Sequence, residues 1–459
     1  MSSATSIMPI EIEKQEQRGK YTVGIIGCGR IGVLHACLFA DAGFHVICAD
    51  TNQAIVDNIS KSKVPYLKNE IDPIIRKHVN DGSLKATNDL KAAVAQSEIV
   101  FVAVPVLVDE KGRTDYSNLE RVLKQVGSSL RKGTLVIIAS TVKIGATEGL
   151  LKEVLEGVSG FKAGTDFLLA YSPVLFPERQ TLKTLSDYRR IVAAADKNSL
   201  EIASAILGVV SKAGVVKAYN LKTAEAMALF EAVYEYAKTA LANEFALFCE
   251  KIGVDYFAVQ NLAKTNPKSG IASPTLAHEK NDEALHILLD DAENLDLKLR
   301  ISKAAEETNA ETLKNAANLI REALKTCGKT LRRAKLSILG VSQTPNVMDI
   351  PKSSLKTLGE ILEAKGAKIS LYDPYLPSKT SIELKQASIK KSLTEAVEGA
   401  DCIVIFTGHD QFKRLNLKKL KLMAKMPAAI VDFEGVIDPV KAEAEGFIYR
   451  GLGRGVWMK

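Results

Sequence analysis

The chain has 459 residues, of which 46% are hydrophobic and 25% charged, so it is long enough for two or three globular domains with real cores. No unbroken apolar run approaches the roughly 18 to 20 residues of a membrane span, and the polar first twenty residues, lacking an apolar stretch, read as a loose tail rather than a signal peptide. The net charge of +7 is mild, and attraction of a phosphorylated ligand or a solvated lysine surface explains it equally well.

After the tail, Thr22 to Ile26 is a short β-branched run that predicts a strand. Gly27, Gly29 and Gly32 then form G-x-G-x-x-G, and Ile31 to Ala42 carries a helical pattern. His45 to Ala49 is a second strand, closed by Asp50 about 20 residues beyond the glycines, which completes a βαβ unit. Amphipathic helices follow at Asn52 to Ser62 and near Asn69 to Asn80. Ile99 to Val104 is an unbroken apolar run, which predicts a strand buried on both faces of a parallel sheet. Asn118 to Leu130 is a helix, Thr134 to Ala139 another buried strand, and a helix begins near Ala146. Phe167 to Ala170 and Arg190 to Ala193 add two strands. Ala224 to Ile252, free of proline and glycine, predicts one helix about 43 Å long with Thr223 as its N-cap and Gly253 at its stop. Met227, Phe230, Val233, Tyr234, Ala237, Leu241, Phe245 and Phe248 give it a broad apolar face suited to a spine or a subunit contact. Asn266 to Pro274 breaks the pattern with Pro267, Gly270 and Pro274 and is the candidate active-site loop. Helices near Asp282 to Leu297 and Ser302 to Thr326 precede a second α/β unit. Its strands are Lys335 to Leu339, Lys368 to Tyr372, Cys402 to Phe406 and Ala428 to Val431, with a helix at Ser354 to Lys365. Gly340 to Pro345 has no glycine fingerprint, so no second dinucleotide is expected.

In the first unit, Gly27 permits the tight turn, Gly29 lets backbone approach a pyrophosphate and Gly32 lets helix pack on strand. Arg30 and Ile31 open the helix whose amides and dipole favour an anion. Asp50 would accept hydrogen bonds from a ribose 2'-OH and repel a 2'-phosphate, which favours NAD over NADP. The competing reading is a glycine turn in a doubly wound domain that binds nothing. Cys28, Cys37, Cys48, Cys249, Cys327 and Cys402 form no C-x-x-C pair and read as core filler in a reducing, cytoplasmic protein. The six histidines form no H-E-x-x-H and no Cys/His cluster has zinc spacing, so no metal is expected. The lysines of Lys413 to Lys425 lack interleaved aromatics, which argues against nucleic-acid binding.

Over nearly its whole length the chain resembles the UDP-glucose/GDP-mannose dehydrogenase family. The resemblance is carried by the glycine turn and by VPYLKNEIDPIIRKHVNDGSLKATNDL, VPVLVDEKGRTDYSNLE, ASTVKIGATEG, LANEFALFCEKIGVD, LYDPYLP and TGHDQFKRL. It implies an α/β fold in three parts: an N-terminal Rossmann NAD-binding domain (21–211), a central long-helix domain (212–330) and a C-terminal Rossmann-like domain (331–459) that grips a nucleotide sugar. It also implies a homodimer built on the central helix, and adds Val104, Thr141 and Glu148 to the cofactor side.

In such proteins NAD takes hydride twice from a primary alcohol, and the second step passes through a cysteine thiohemiacetal. Here the corresponding stretch is TLAHEKNDEAL, which places His278 at the cysteine, Asn281 at a usual lysine and Asp282 at the aspartate. Ala228 and Ala232 stand at a usual lysine and asparagine, Pro351 and Glu434 at two usual arginines, and Val174 within P-E-x-L-x-E, which keeps Glu178. The resemblance therefore implies a four-electron oxidation that the missing thiol makes improbable. The polar residues left to face a substrate are Thr141, Glu178, Lys238, His278 and Asp282. For three of them a plainer reading stands beside the catalytic one: Glu178 pairs with Arg179 or a neighbouring lysine, Lys238 is a solvated helical lysine, and His278 is a surface-loop histidine. Three readings follow: an NAD-dependent oxidoreductase acting on the CH–OH group of a nucleotide sugar with altered or truncated chemistry, a silent NAD-binding relative with a structural or regulatory role, or, motivated by Pro351 and Glu434, a protein whose ligand is not a nucleotide sugar.

Overall fold

The computed structural model describes residues 7–64, 68–109, 111–175, 182–266, 270–276, 279–348, 351–378, 380, 382, 384–385 and 387–458, without the side chains of 68–70 and 279–282. Two compact units emerge: Met1–Ala232 with Glu283–Lys298, and Val233–Asp282 with Leu299–Lys459.

The first unit is built on an eight-stranded sheet. Its strands are β1 (Thr22–Ile26), β2 (His45–Ala49), β3 (Leu84–Thr87), β4 (Ile99–Val102), β5 (Leu135–Ile138), β6 (Leu168–Tyr171), β7 (Arg190–Ala194) and β8 (Val215–Lys217), in the order β8-β7-β6-β5-β4-β1-β2-β3. All pairs are parallel except β6 with β7. Every residue of β4, β5 and β6 is buried, as expected of strands covered by helices on both faces. β1 pairs with β2 on one side and β4 on the other, so the strand order reverses there. The crevice where such sheets take their ligands then lies beyond Ile26 and Val102.

Residues 7–20, expected as a loose tail, instead form two short helices, Pro9–Glu13 and Gln15–Arg18. Ile12 is fully buried, and the Arg18 guanidinium donates to the carbonyls of Ile12, Glu13 and Ala42. One apolar side chain and one fork of donors are enough to pin a segment whose overall composition is polar.

The second unit carries a six-stranded, wholly parallel sheet of β9 (Lys335–Leu339), β10 (Lys368–Tyr372), β11 (Ser388–Ile389), β12 (Cys402–Ile405), β13 (Ala429–Asp432) and β14 (Ile448–Gly451). Its order is β11-β10-β9-β12-β13-β14, with its own reversal between β9 and β12. Gly340, just past β9, has a φ of +81°, and a Cβ there would meet the Thr407 carbonyl at 2.3 Å. The second sheet thus makes a tight glycine turn without the rest of the fingerprint.

Four helices complete what the site needs: α1 (Arg30–Asp41), α2 (Leu221–Ile252), α3 (Tyr256–Ala263) and α4 (Glu279–Glu293). The long helix begins three residues before the expected start. Its cap is Asn220, whose side-chain oxygen accepts from Thr223 N at 2.8 Å, rather than Thr223 itself. An Asn offers a carbonyl acceptor without the crowding of a β-branched residue, so it satisfies the first orphan donors at least as well. Among the described residues no helix is long and apolar enough to cross a membrane.

Candidate functional site

The glycine turn stands at the reversal of the first sheet. Gly27 has a φ of +89° and donates to Ala49 O at 3.0 Å, and a Cβ on it would meet Ala103 O at 2.8 Å. Gly32 packs so closely that its Cβ would meet Gly27 O at 2.0 Å, which is why helix and strand can approach here. Gly29 has open space beside its α-carbon and is the N-cap of α1, so backbone there leaves room for a ligand at the start of the helix. Asp50 sits at the tip of β2 with its carboxylate turned to the turn, accepting Cys28 N on Oδ2 and Asn52 N on Oδ1, both at 2.8 Å. Each oxygen keeps acceptor capacity for a ribose hydroxyl. Buried Val104 lies against Gly27 from the end of β4. The open space at Gly29, at the N-terminus of α1, fits a pyrophosphate, so these residues suit NAD, which supplies a hydride acceptor when bound.

Beyond β5 the chain makes a turn held from below by Glu225. That carboxylate is fully buried near the start of α2 and accepts Gly145 N at 2.5 Å and Thr147 N at 2.8 Å. Burial raises its carboxyl, while the hydrogen bonds from Thr147 and Gly145 work against the shift. Lys143 N donates to Tyr116 Oη at 2.7 Å, and Lys143 Nζ pairs with Asp290 of α4 at 2.6 Å. Thr141 is exposed at the head of this turn, and Glu148 pairs with Lys222 at 2.7 Å. A π-helical turn at Thr147–Leu151 accommodates the bend, a feature often found at functional sites. Lys143 lies within the ASTVKIGATEG stretch, but the contacts of Glu225 with Gly145 and Thr147, 80 and 78 residues away, and the pairing of Lys143 with Asp290 are visible only in the fold.

The reacting side is thinner. Ala228 and Ala232 follow Glu225 one and two turns along α2, and Ala228 is buried. Lys238 is held by Glu235 at 2.8 Å and lies 5.4 Å from the Tyr234 ring centroid. Glu178 and His278 fall outside the described residues, as does the side chain of Asp282, whose backbone lies in α4. The described stretch 270–276, which includes the C-terminal part of the expected loop, is well anchored. Tyr256 Oη donates to Ala272 O at 2.7 Å, and Gln260 Nε2 to Ile271 O at 3.0 Å and Ser273 Oγ at 2.9 Å. Thr275 N donates to Asn243 Oδ1 at 2.9 Å, and the buried Asn243 in turn donates to Asn309.

All six cysteines are free and buried. A hydrogen bond to Cys48, together with burial, pushes the Cys28 thiol up, and burial does the same for Cys37, Cys249, Cys327 and Cys402. Thiols held protonated are poor nucleophiles. Among the described residues no group of three His, Cys, Asp or Glu side chains is placed to hold a metal ion.

At the reversal of the second sheet, polar atoms of the protein meet one another. Asp373 accepts Val341 N and Ser342 N and faces buried His409 at 3.1 Å. Burial pushes its carboxyl up, but His409 and the two amides outweigh that and hold it at about 2. Asn346 N donates to His409 Nδ1, while Asn346 and Asp410 exchange a further pair of hydrogen bonds. Close by, Lys352 Nζ pairs with Glu434 at 3.1 Å.

These two crevices define a class: an NAD-binding oxidoreductase of doubly wound type, with a second nucleotide-type domain at its C-terminal end. The chain belongs to the UDP-glucose/GDP-mannose dehydrogenase family, matching its NAD binding domain over residues 21–209, its central domain over 222–311 and its UDP binding domain over 337–439. It is 30% identical to the UDP-N-acetyl-D-mannosamine dehydrogenase of Pyrococcus horikoshii over 439 residues, 94% of this chain and 99% of that one. To the UDP-glucose 6-dehydrogenase TuaD of Bacillus subtilis it is 24% identical over 440 residues, 94% of this chain and 93% of that one. The solved structure of the UDP-D-ManNAc dehydrogenase from Pyrococcus horikoshii superposes with a TM-score of 0.84 at 28% identity, covering 95% of this chain and all of that one.

Proposed function

We propose that this chain is an NAD-dependent oxidoreductase of a nucleotide sugar whose chemistry stops short of the uronate. The reading is supported by one contrast. The glycine turn and Asp50 are complete, whereas the positions that the family resemblance assigns to a cysteine, a lysine and an asparagine are His278, Ala228 and Ala232. Each of the six thiols lies buried elsewhere. Without a thiolate an aldehyde has no covalent path to a second hydride transfer. One transfer needs less: the hydroxyl proton leaves to a base, for which His278 is the candidate because histidine as a residue type can take up a proton near neutral pH. Glu178 and Asp282 are the remaining acid/base candidates. Thr141, Glu148 and Val104 are assigned to the cofactor side, and the three-part division at 21–211, 212–330 and 331–459 to the domains.

A second reading, a silent NAD-binding relative, is favoured by buried Ala228, because an alanine leaves nothing there to polarise a substrate oxygen. Both readings are separated by counting NADH formed per sugar consumed with NAD and a panel of UDP- and GDP-sugars. One equivalent supports the truncated oxidation. Two equivalents refute the account of the missing thiol, and none, beside saturable NAD binding, leaves the silent relative.

The same proposal includes a homodimer on α2, supported by an exposed apolar stripe of Phe230, Tyr234, Leu241, Phe245, Phe248 and Ile252. Such a run on a surface helix marks an interaction site. A reducing, cytoplasmic setting is supported by six unpaired cysteines.

A further inference from the structure

At the reversal of the second sheet one cation stands behind one carboxylate. The Lys352 side chain is only 4% exposed, donates to Phe406 O at 3.2 Å and lies 5.3 Å from the Phe406 ring centroid. Its remaining partner is Glu434 Oε1 at 3.1 Å. The Glu434 side chain is 25% exposed, so the carboxylate forms the solvent side of the pair and the ammonium the inner side. Glu434 is also fixed in place. Its backbone N donates to Asp432 Oδ1 at 3.0 Å, and its Cβ and Cγ lie against Gly408, where an added Cβ would meet them at 3.1 and 3.5 Å. Both residues sit in loops beyond the carboxyl ends of β9 and β13, where open α/β sheets receive their ligands. An anion entering there meets a negative charge before the positive one.

We propose that Glu434 is a specificity-determining residue: an internal counter-ion in the place a ligand phosphate would take on Lys352, so that a nucleoside diphosphate binds this domain only by displacing it. A like charge set against an incoming anion costs affinity and selects for ligands whose other contacts compensate. This inference rests on the nucleotide-sugar reading above, and its test separates the two.

The full chain is titrated calorimetrically with UDP and, separately, with NAD, for wild type, Glu434→Gln and the charge swap Lys352→Glu/Glu434→Lys. The glutamine variant is expected to bind UDP about tenfold tighter than wild type with NAD affinity unchanged. Because it leaves a buried ammonium without its carboxylate, it is at risk of misfolding. The swap keeps the pair while placing the cation on the solvent side, and it too is expected to gain about tenfold. A folded variant of either kind that binds UDP no better than wild type overturns the counter-ion role. If wild type and the folded variants all bind NAD but no UDP up to millimolar concentration, the nucleotide-sugar reading itself falls.

Discussion

The cofactor preference proposed for Asp50 rests on two oxygens already oriented by Cys28 N and Asn52 N, one on each side. Replacing it by alanine removes both the orienting bonds and the acceptor for a ribose hydroxyl. A charged hydrogen bond is worth about 1.5 to 3 kcal/mol, so Asp50→Ala should weaken NAD binding by roughly ten- to a hundredfold and narrow its margin over NADP, as fluorescence titration of both cofactors would show. A wild type that binds NADP more tightly than NAD would refute the role. Asp432 offers a pH signature. Burial pushes its carboxyl up to about 6, against about 3.9 in an unfolded chain. Between these values the folded state holds a proton that the unfolded state has lost, so this group's contribution to stability is fully present below about pH 4 and its roughly 3 kcal/mol is lost as pH rises past 6. Asp373, held at about 2, acts in the opposite sense, and its contribution is lost as pH falls from about 4 to 2. Urea midpoints from pH 3 to 7 should therefore show a decline between pH 4 and 6 that Asp432→Asn flattens.

The dimer proposed above is carried by α2. Its exposed Phe245 and Phe248 sit on a helix whose other face packs into the protein, so charge there disturbs association more than folding. Phe245→Asp with Phe248→Asp should convert a dimer to a monomer in analytical ultracentrifugation while leaving NAD binding intact. A wild type that is already monomeric sinks the dimer. The same scale shows what local pattern conveys. The apolar runs of β4, β5 and β6 were legible because strands buried on both faces need no alternation. The short strands β3 and β8 were not, because Leu84–Thr87 and Val215–Lys217 are partly exposed at the edges of the sheet and present no run. Asn220 was passed over as the cap for a similar reason: Thr223 is an equally good capping type, and only the backbone conformation chooses between them.

For the whole molecule the question is whether a cofactor half and a reacting half still work together. His278→Ala should leave NAD affinity unchanged and lower turnover of the preferred sugar by about 10² to 10⁴, the usual contribution of a positioned base. Unchanged turnover, measured by NADH absorbance under saturating substrate, would remove His278 from the proposal. The glycine turn and its acid are legible in the residues alone because Gly27 to Asp50 lie within thirty positions of one another. A glycine at φ +89°, a close helix contact at Gly32 and an acid at the end of the next strand are demands of local backbone geometry, and such demands write themselves into residue type. The anchoring of the loop at 270–276 by Asn243, the cap of Glu225 on a turn some eighty residues earlier, and the closure of Lys352 by Glu434 were decided only in three dimensions. Periodicity reports which face is buried, but which charge meets which depends on loops at strand ends that are brought together by the order of strands in the sheet.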